Sequence, residues 1–386
     1  LDVKQALEIG LKNNQSIQAS ELEVKMQTQL QKTAFELPKT ELSGTFGQIN
    51  SQAQDKNFGI SQSFNPFQIS AKRTLLKEYS NASETKFGVS KQEVTYSIRQ
   101  SWNTLLYYEK QNTVLEKQNV VMQKFVKSAN LKFQTGETNA LEKTIALAKQ
   151  QELEQKIKQN KTQIAIEKSK LKVILDLKTD FMATDTSFVP YPAITKVDTT
   201  MVKQNPIVQL ANQQVQIAQA IHKVEKSALY PDFSVGYFLQ SITGNQDVNG
   251  TPTYYNNSPQ FQGFSVGIAV PLFAGSNIAK AKAAKTNIER EQKNADYITQ
   301  QFKSHLEQQS EQLVTYSSLI DYYKNTAMPN ANLIIKNATK GYQNGDISYV
   351  EYVQSIETAS QIQLNYNEAI YNYNQTIITI QYSINQ

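Results

Sequence analysis

The chain has no cysteine, which excludes a disulfide framework and any thiolate metal site. Its two histidines, His222 and His305, lie in separate helical patterns; neither has a histidine three or four residues on, and a single carboxylate, Glu225 after His222, does not make a ligand set, so no metal site is expected. Glycine (14) and proline (10) are scarce for 386 residues, which argues against a loop-rich globular protein. No stretch approaches ~18 uninterrupted apolar residues; an ordinary membrane-spanning helix is excluded, a β-barrel is not. There is no Gly-x-Ser-x-Gly and no phosphate-cradling loop, and the many serines and threonines lack a histidine base. No catalytic residue and no cofactor is expected, and the chain does not read as an enzyme. The 39 basic and 34 acidic residues are interspersed, without the basic block that nucleic acid requires. The sequence opens at Leu1 without a methionine or a signal-peptide core, so it is expected to be processed or excised from a longer polypeptide.

What is present is polar and periodic. A hydrophobic fraction of 39% and a mean hydropathy of −0.50 are thin for packed globular cores. Long tracts of Gln, Asn, Lys and Ala fit extended helices with a narrow apolar seam. One short stretch occurs twice, as Phe133-Gln134-Thr135-Gly136-Glu137-Thr138-Asn139-Ala140-Leu141-Glu142 and as Tyr342-Gln343-Asn344-Gly345-Asp346-Ile347-Ser348-Tyr349-Val350-Glu351. In each copy a helix is expected to end at glycine, which takes φ > 0, and the next to begin at a cap, Asn139 or Ser348, with Glu142 or Glu351 as the capping-box carboxylate. Each copy reads as a tight helix-turn-helix tip, and the pair as a duplicated architecture.

Residues 2 to 34 read as one helix, followed by an alternating hairpin (Leu42, Gly44 and Phe46, then Phe58, Ile60 and Phe64) closed by Pro66. A helical pattern from about Ser70 to Thr135 follows, a rod of roughly 100 Å at ~1.5 Å per residue. Leu115, Met122 and Ala129 recur by seven on it, as do Ile157, Ile164 and Leu171 on the returning helix. After a connector over 178–197 the order recurs, with a helix over about Asp198 to Ala228 and strands at Phe233, Val235, Tyr237 and Leu239 and at Phe264, Val266, Ile268 and Val270. Between these strands Thr243 to Gln260 reads as a long turn-rich loop. A second helical tract runs from about Asn277 to Asn344, with Leu306, Leu313, Ile320 and Ala327 at heptad spacing and a kink expected at Pro329. After the second tip, Ile370, Ile377 and Ile384 again recur by seven. Trp102 and most tyrosines are expected to pack between helices. The organisation is thus a first repeat over 1–177, the connector, and a second repeat over 198–386, both contributing to one intertwined subunit.

Four strands of this length, alternating apolar with small or polar residues, have the pattern of outer-membrane strands. Four cannot close a barrel, and open edges are not tolerated in lipid. Several chains must contribute, and three would supply twelve strands and a tube of twelve helical passes. The fold class is therefore a mixed α and β membrane protein, a long helical coiled-coil barrel with four β-strands per chain.

At this point the residues resemble the TolC-like outer-membrane efflux proteins. The resemblance spans essentially the whole chain. It is carried by the duplicated order, Leu7 with Asn13-Asn14 and the corresponding Asn205-Pro206, Pro231-Asp232-Phe233 entering a strand, Val270-Pro271-Leu272-Phe273 with Gly275 leaving one, and Tyr342-Gln343-Asn344-Gly345. It implies a homotrimeric conduit in the outer membrane of a Gram-negative bacterium with a large periplasmic extension. The tips, at Gly136, Glu137, Thr138, Gly345, Asp346 and Ile347, would meet a periplasmic adaptor and through it an inner-membrane pump of RND or ABC type. The family carries two acidic residues three positions apart at the tunnel entrance. Glu351 matches the first, while Gln354 stands at the second, so a single carboxylate ring is expected, flanked by Tyr342 and Tyr349. Glu142 at the equivalent place favours a capping role for Glu351, and the two roles are compatible. Two other readings stand beside the duct: the channel-like portion of a fused heavy-metal efflux polypeptide, and a structural coiled-coil or adhesin-like envelope protein. The one-faced strands discriminate against the last, because only a lipid-facing strand requires Phe264, Val266, Ile268 and Val270 opposite Ser, Gly and Ala.

Overall fold

The computed structural model describes residues 1–185, 187–194 and 198–386; residues 186 and 195–197 of the expected connector lie outside the described residues. The α-helices are α1 (Val3–Asn13), α2 (Gln15–Leu30), α3 (Pro66–Gln134), α4 (Ala140–Leu175), α5 (Pro206–Ser227), α6 (Gly275–Tyr322), α7 (Met328–Asn344) and α8 (Tyr349–Ile384). The strands are β1 (Glu41–Gly47), β2 (Asp55–Phe64), β3 (Asp232–Gln240), β4 (Gly244–Val248), β5 (Thr251–Tyr255) and β6 (Phe261–Ala269). Two compact units divide the chain. One comprises Leu1–Glu21, Lys86–Gln209 and Ile298–Gln386, the other Leu22–Thr85 and Leu210–Tyr297. Each unit draws on both halves of the chain, a different partition from one made along the sequence.

The second unit holds an antiparallel sheet of order β1-β2-β3-β6. Its register sorts the side chains, since directly opposed residues share a face. Leu42 faces Ile60, Ile60 faces Tyr237 and Tyr237 faces Phe264; Phe64 faces Phe233, and Phe233 faces Ile268. The opposite face carries Ser43, Gly59 and Gly263 in one row and Glu41, Ser61, Gly236 and Ser265 in the next. Phe238 and Phe261 are the exceptions there, and Phe238 fits because Gly263 has no side chain where its ring lies. Thr243 to Gln260, expected to be loop, contains the separate hairpin β4-β5. Asn249 (φ 53°) and Gly250 (φ 80°) make its turn, the Asn-Gly signal for a two-residue hairpin. Its flanks, polar in Gly244–Val248 and proline-containing in Thr251–Tyr255, lack the apolar alternation by which the other strands were recognised.

The first unit is helical. The expected single helix over residues 2 to 34 is broken at Asn14, whose backbone is extended (ψ 125°). Its side chain accepts from the Ser16 N–H (2.9 Å) and starts α2, while its Nδ2 donates to the Ile174 carbonyl (2.8 Å). Asn205 does the same before α5. It accepts from the Ile207 N–H (2.9 Å) and donates to the Tyr382 carbonyl (2.8 Å). The helix expected from Asp198 is therefore a 3-10 turn, Thr199–Gln204, and then α5 with Pro206 at its first position. Proline is favoured there because the first N–H groups of a helix have no intrahelical acceptor. For the same reason Pro66 opens α3 rather than merely closing the hairpin. Pro329 interrupts the ladder as expected: α6 and α7 are separated by a π-helical turn at Tyr323–Ala327.

The heptad residues form the cores. Leu115, Met122 and Ala129 of α3 cluster with Ala146, Leu153 and Ile157 of α4 and with Tyr349 and Val353 of α8. A second core joins Ala6 and Ile17 to Ile98, Trp102, Leu105, Leu171 and Leu175. Trp102 is fully buried, and its Nε1–H donates to Asp185 (2.8 Å). A third core places Leu306 against Val202, Val208, Ile380 and Ile384.

Candidate functional site

The two glycine tips close by the same backbone device. At the first, Gly136 has φ 76°, and the Glu137 and Thr138 N–H groups both donate to the Lys132 carbonyl (2.8 and 3.3 Å). At the second, Gly345 has φ 81°, and the Asp346 and Ile347 N–H groups donate to the Gly341 carbonyl (2.7 and 3.4 Å). Each glycine thus supplies the left-handed residue that satisfies the last helical carbonyls. Gly136, Glu137, Gly345 and Asp346 are exposed, and Thr138 and Ile347 are half-buried.

The caps differ. Ser348 accepts from the Glu351 N–H (3.2 Å), and Glu351 accepts from the Ser348 N–H (2.8 Å), a complete capping box. Asn139 likewise accepts from the Glu142 N–H (3.1 Å). The expected return bond from Glu142 is not made, because its carboxylate takes the Thr138 hydroxyl instead. Asp346 and Ile347 offer no hydroxyl at the corresponding reach, which leaves Glu351 free to close its box. The Ser348 N–H holds the Glu351 carboxyl below the usual carboxylate range.

Of the four residues expected at an aperture, Glu351 and Gln354 are exposed and Tyr342 is half-buried. Tyr349 is only 6% exposed. Its ring stacks on Phe125 (4.7 Å) and meets Tyr342 edge-on (4.8 Å), and its hydroxyl donates to the Val121 carbonyl (3.4 Å). Burial pushes that hydroxyl far above its ordinary value. Within the chain Tyr349 therefore pins the start of α8 to α3 rather than presenting its ring outward.

A cleft of about 280 Å³ opens beside this anchor between the starts of α4 and α8, lined by Phe125, Leu141, Ile145, Lys149, Val350 and Gln354 among others. Leu141 (65% exposed), Ile145 and Val350 hold apolar surface out to solvent here. The sequence reading passed over them. Their signal is Leu141 and Ile145 four apart on α4, off the stripe that Ala146 and Leu153 bury. An ion pair, Lys149 Nζ to Glu357 (2.5 Å), ties α4 to α8 one turn further on.

The strand residues singled out in the sequence lie on one face of the sheet. Phe264 is 85% exposed and Val266 79%; Ile268, Val270, Val235 and Leu239 are also exposed, and Phe233 and Tyr237 are half-buried. Val270 stands one residue beyond β6. Among the described residues no group of His, Cys, Asp and Glu could hold a metal ion, and no helix is long and apolar enough to cross a membrane.

No curated protein matches the chain. The fold is that of solved outer-membrane channels. CusC superposes with a TM-score of 0.79 at 16% identity, covering 100% of this chain and 92% of that one. The Campylobacter jejuni outer membrane channel CmeC gives 0.79 at 14%, covering 99% and 85%. The open state of the Neisseria gonorrhoeae MtrE outer membrane channel gives 0.78 at 10%, covering 99% and 88%. These structural relatives are channels, not enzymes. Residues 200–386 match the family model of the outer membrane efflux proteins, the TolC-like family that the residues resemble.

Proposed function

We propose that this chain is one subunit of a homotrimeric, passive exit duct in the outer membrane of a Gram-negative bacterium. The observation that carries the reading is the sheet. One face is apolar and open to solvent, the other is mostly small and polar, and among the described residues β1 and β6 each have only one partner. Unpaired edges and an open apolar face are both liabilities in water. Three copies joined edge to edge remove the first by closing twelve strands, and lipid covers the second. The two halves, 1–177 and 198–386, are read as one architecture repeated, so each copy adds four helical passes to a tube. The exposed tips and the apolar cleft beside Tyr349 are read as the surface that engages a periplasmic adaptor and, through it, an inner-membrane pump. Nothing in the chain supplies energy, so opening comes from the partner. Mass measurement of the detergent-extracted protein tests the assembly. A trimer is expected; a stable dimer or tetramer overturns the stoichiometry, and a monomer soluble without detergent overturns the duct in favour of an envelope scaffold.

A further inference from the structure

Where helices leave the sheet, apolar side chains give way to unpaired cations in a fixed order. Phe64 stacks on Phe233 on the apolar face (6.1 Å), and three residues further along each chain direction Phe67 stacks on Tyr230 (4.7 Å). Tyr230 is 42% exposed, in the turn after α5, and Lys226 and Lys223 precede it by four and seven residues. At the start of α6 the order is mirrored: Ile278 is 43% exposed, and Lys282 and Lys285 follow it by four and seven. On α6 spacings of four and seven keep Ile278, Lys282 and Lys285 on one helix face, while Tyr230 stands in the turn beyond Lys223 and Lys226 of α5; all four lysines are exposed. Beside this stripe α6 carries the buried Ala281 and Ala284.

At about 1.5 Å per residue the two lysines of α6 stand roughly 6 and 10 Å beyond Ile278. A bilayer's headgroup region extends about 5–8 Å beyond the hydrocarbon on each side. The first turns of α3 add Arg73 and Lys77. None of these six cations joins the ion pairs found among the described residues. The carboxylates within the same segments are Glu78 and Glu225, and Glu78 already accepts from Gln213 (2.6 Å). The surface is therefore apolar, then aromatic, then cationic, with six cations against two carboxylates.

Resting on the reading of the sheet as membrane-spanning, we propose that these stripes form a headgroup belt that binds the phosphodiester of anionic phospholipid at the periplasmic rim of the barrel. The apolar residue at the end of each stripe lies against the acyl chains while the lysines snorkel to the phosphate. A duct-lining surface would have no use for Phe67, Tyr230 and Ile278 held out beside the lysines.

The full chain, reconstituted in phosphatidylcholine bilayers with a minor share of phosphatidylglycerol, tests this through spin-labelled lipids of each kind. Each cation near an anionic surface contributes up to about fivefold, so a severalfold preference for phosphatidylglycerol is expected, weakening with salt. The quadruple variant Lys223→Gln, Lys226→Gln, Lys282→Gln, Lys285→Gln should lose it, and the matching Lys→Arg variant should keep it. No preference in the wild type, or an unchanged one in the Gln variant, overturns the belt while leaving the spanning sheet intact. A Gln variant that alters ion selectivity but not lipid association overturns it by placing the lysines in the duct. Failure of the protein to enter bilayers at all overturns the spanning sheet instead.

Discussion

Gly345→Val separates backbone conformation from contact at the second tip. An added Cβ at Gly345 meets nothing within 4 Å, so the substitution creates no clash. Its whole effect lies in φ, which is 81°, a region that costs a residue with a Cβ roughly 1–2 kcal/mol and a β-branched one more. The chain relieves that cost by giving up the left-handed residue, and with it the Asp346 and Ile347 bonds to the Gly341 carbonyl. Amide exchange at Asp346 and Ile347 should therefore accelerate about 5- to 30-fold, the equivalent of that energy. Under the proposed duct, efflux should fall and crosslinking of the tip to an adaptor should weaken, while the proposed sheet-derived trimer should remain intact. Gly345→Asn is the control, since asparagine tolerates the left-handed region; the expected order of activity is Gly, Asn, Ala, Val. Gly136→Val, at φ 76°, should act in the same direction. Wild-type export by both valine variants, or an asparagine variant as impaired as valine, would refute the claim that tip conformation sets docking.

Two further outcomes are expected. Because the Ser348 N–H lowers the Glu351 carboxyl, the cap's contribution is present above the unfolded carboxylate value and is lost as pH falls through the folded one. Three copies converging on one axis would oppose this by repulsion, so Glu351→Gln should reduce cation selectivity and trivalent-ion block in planar bilayers; unchanged conductance properties would leave Glu351 as a helix cap alone. Asn205→Ala removes a fully buried side chain that caps α5 and satisfies the Tyr382 carbonyl, and should cost about 2–4 kcal/mol; denaturant unfolding that shows no loss would mean that water replaces the amide.

The parts of the fold set by local rules were legible in the sequence. Gly136 and Gly345 fall where left-handed residues are needed, the heptad residues Leu115, Met122 and Ala129 are buried as their period requires, and the register puts Phe264, Val266 and Ile268 on the face that their alternation selects. What escaped depends on partners distant in the chain for Asn14 and Tyr349, and on a local competitor for Glu142. Asn14, part of the Asn13-Asn14 pair that marks the resemblance, still reads as lying inside one helix until its side chain is seen to start α2 and its amide to reach the Ile174 carbonyl. Tyr349 reads as an aperture residue until Phe125 and Val121 claim its ring and hydroxyl. Glu142 reads as the twin of Glu351 until Thr138, which has no hydroxyl-bearing counterpart at Ile347, captures its carboxylate. The tip cleft was missed because Leu141 and Ile145 lie outside the heptad stripe, and stripe residues were the ones sought.

The sheet shows why the isolated chain is an incomplete folding unit. Full burial of a large apolar side chain is worth about 1.5–3 kcal/mol. Phe264, Val266, Ile268, Leu42 and Phe46 are each at least 63% exposed, so covering them would add on the order of 5–10 kcal/mol, comparable with the whole net stability of a typical domain. A sheet that leaves such energy uncollected in water, with two edges unpaired among the described residues, gains it back under the proposed assembly, where lipid and neighbouring strands would complete it. The seams between helices need no such completion, because their heptad residues already meet within the chain. Assembly is thus expected to begin with helices that are already formed and to end with the strands, whose closure into a barrel and insertion into lipid are one event.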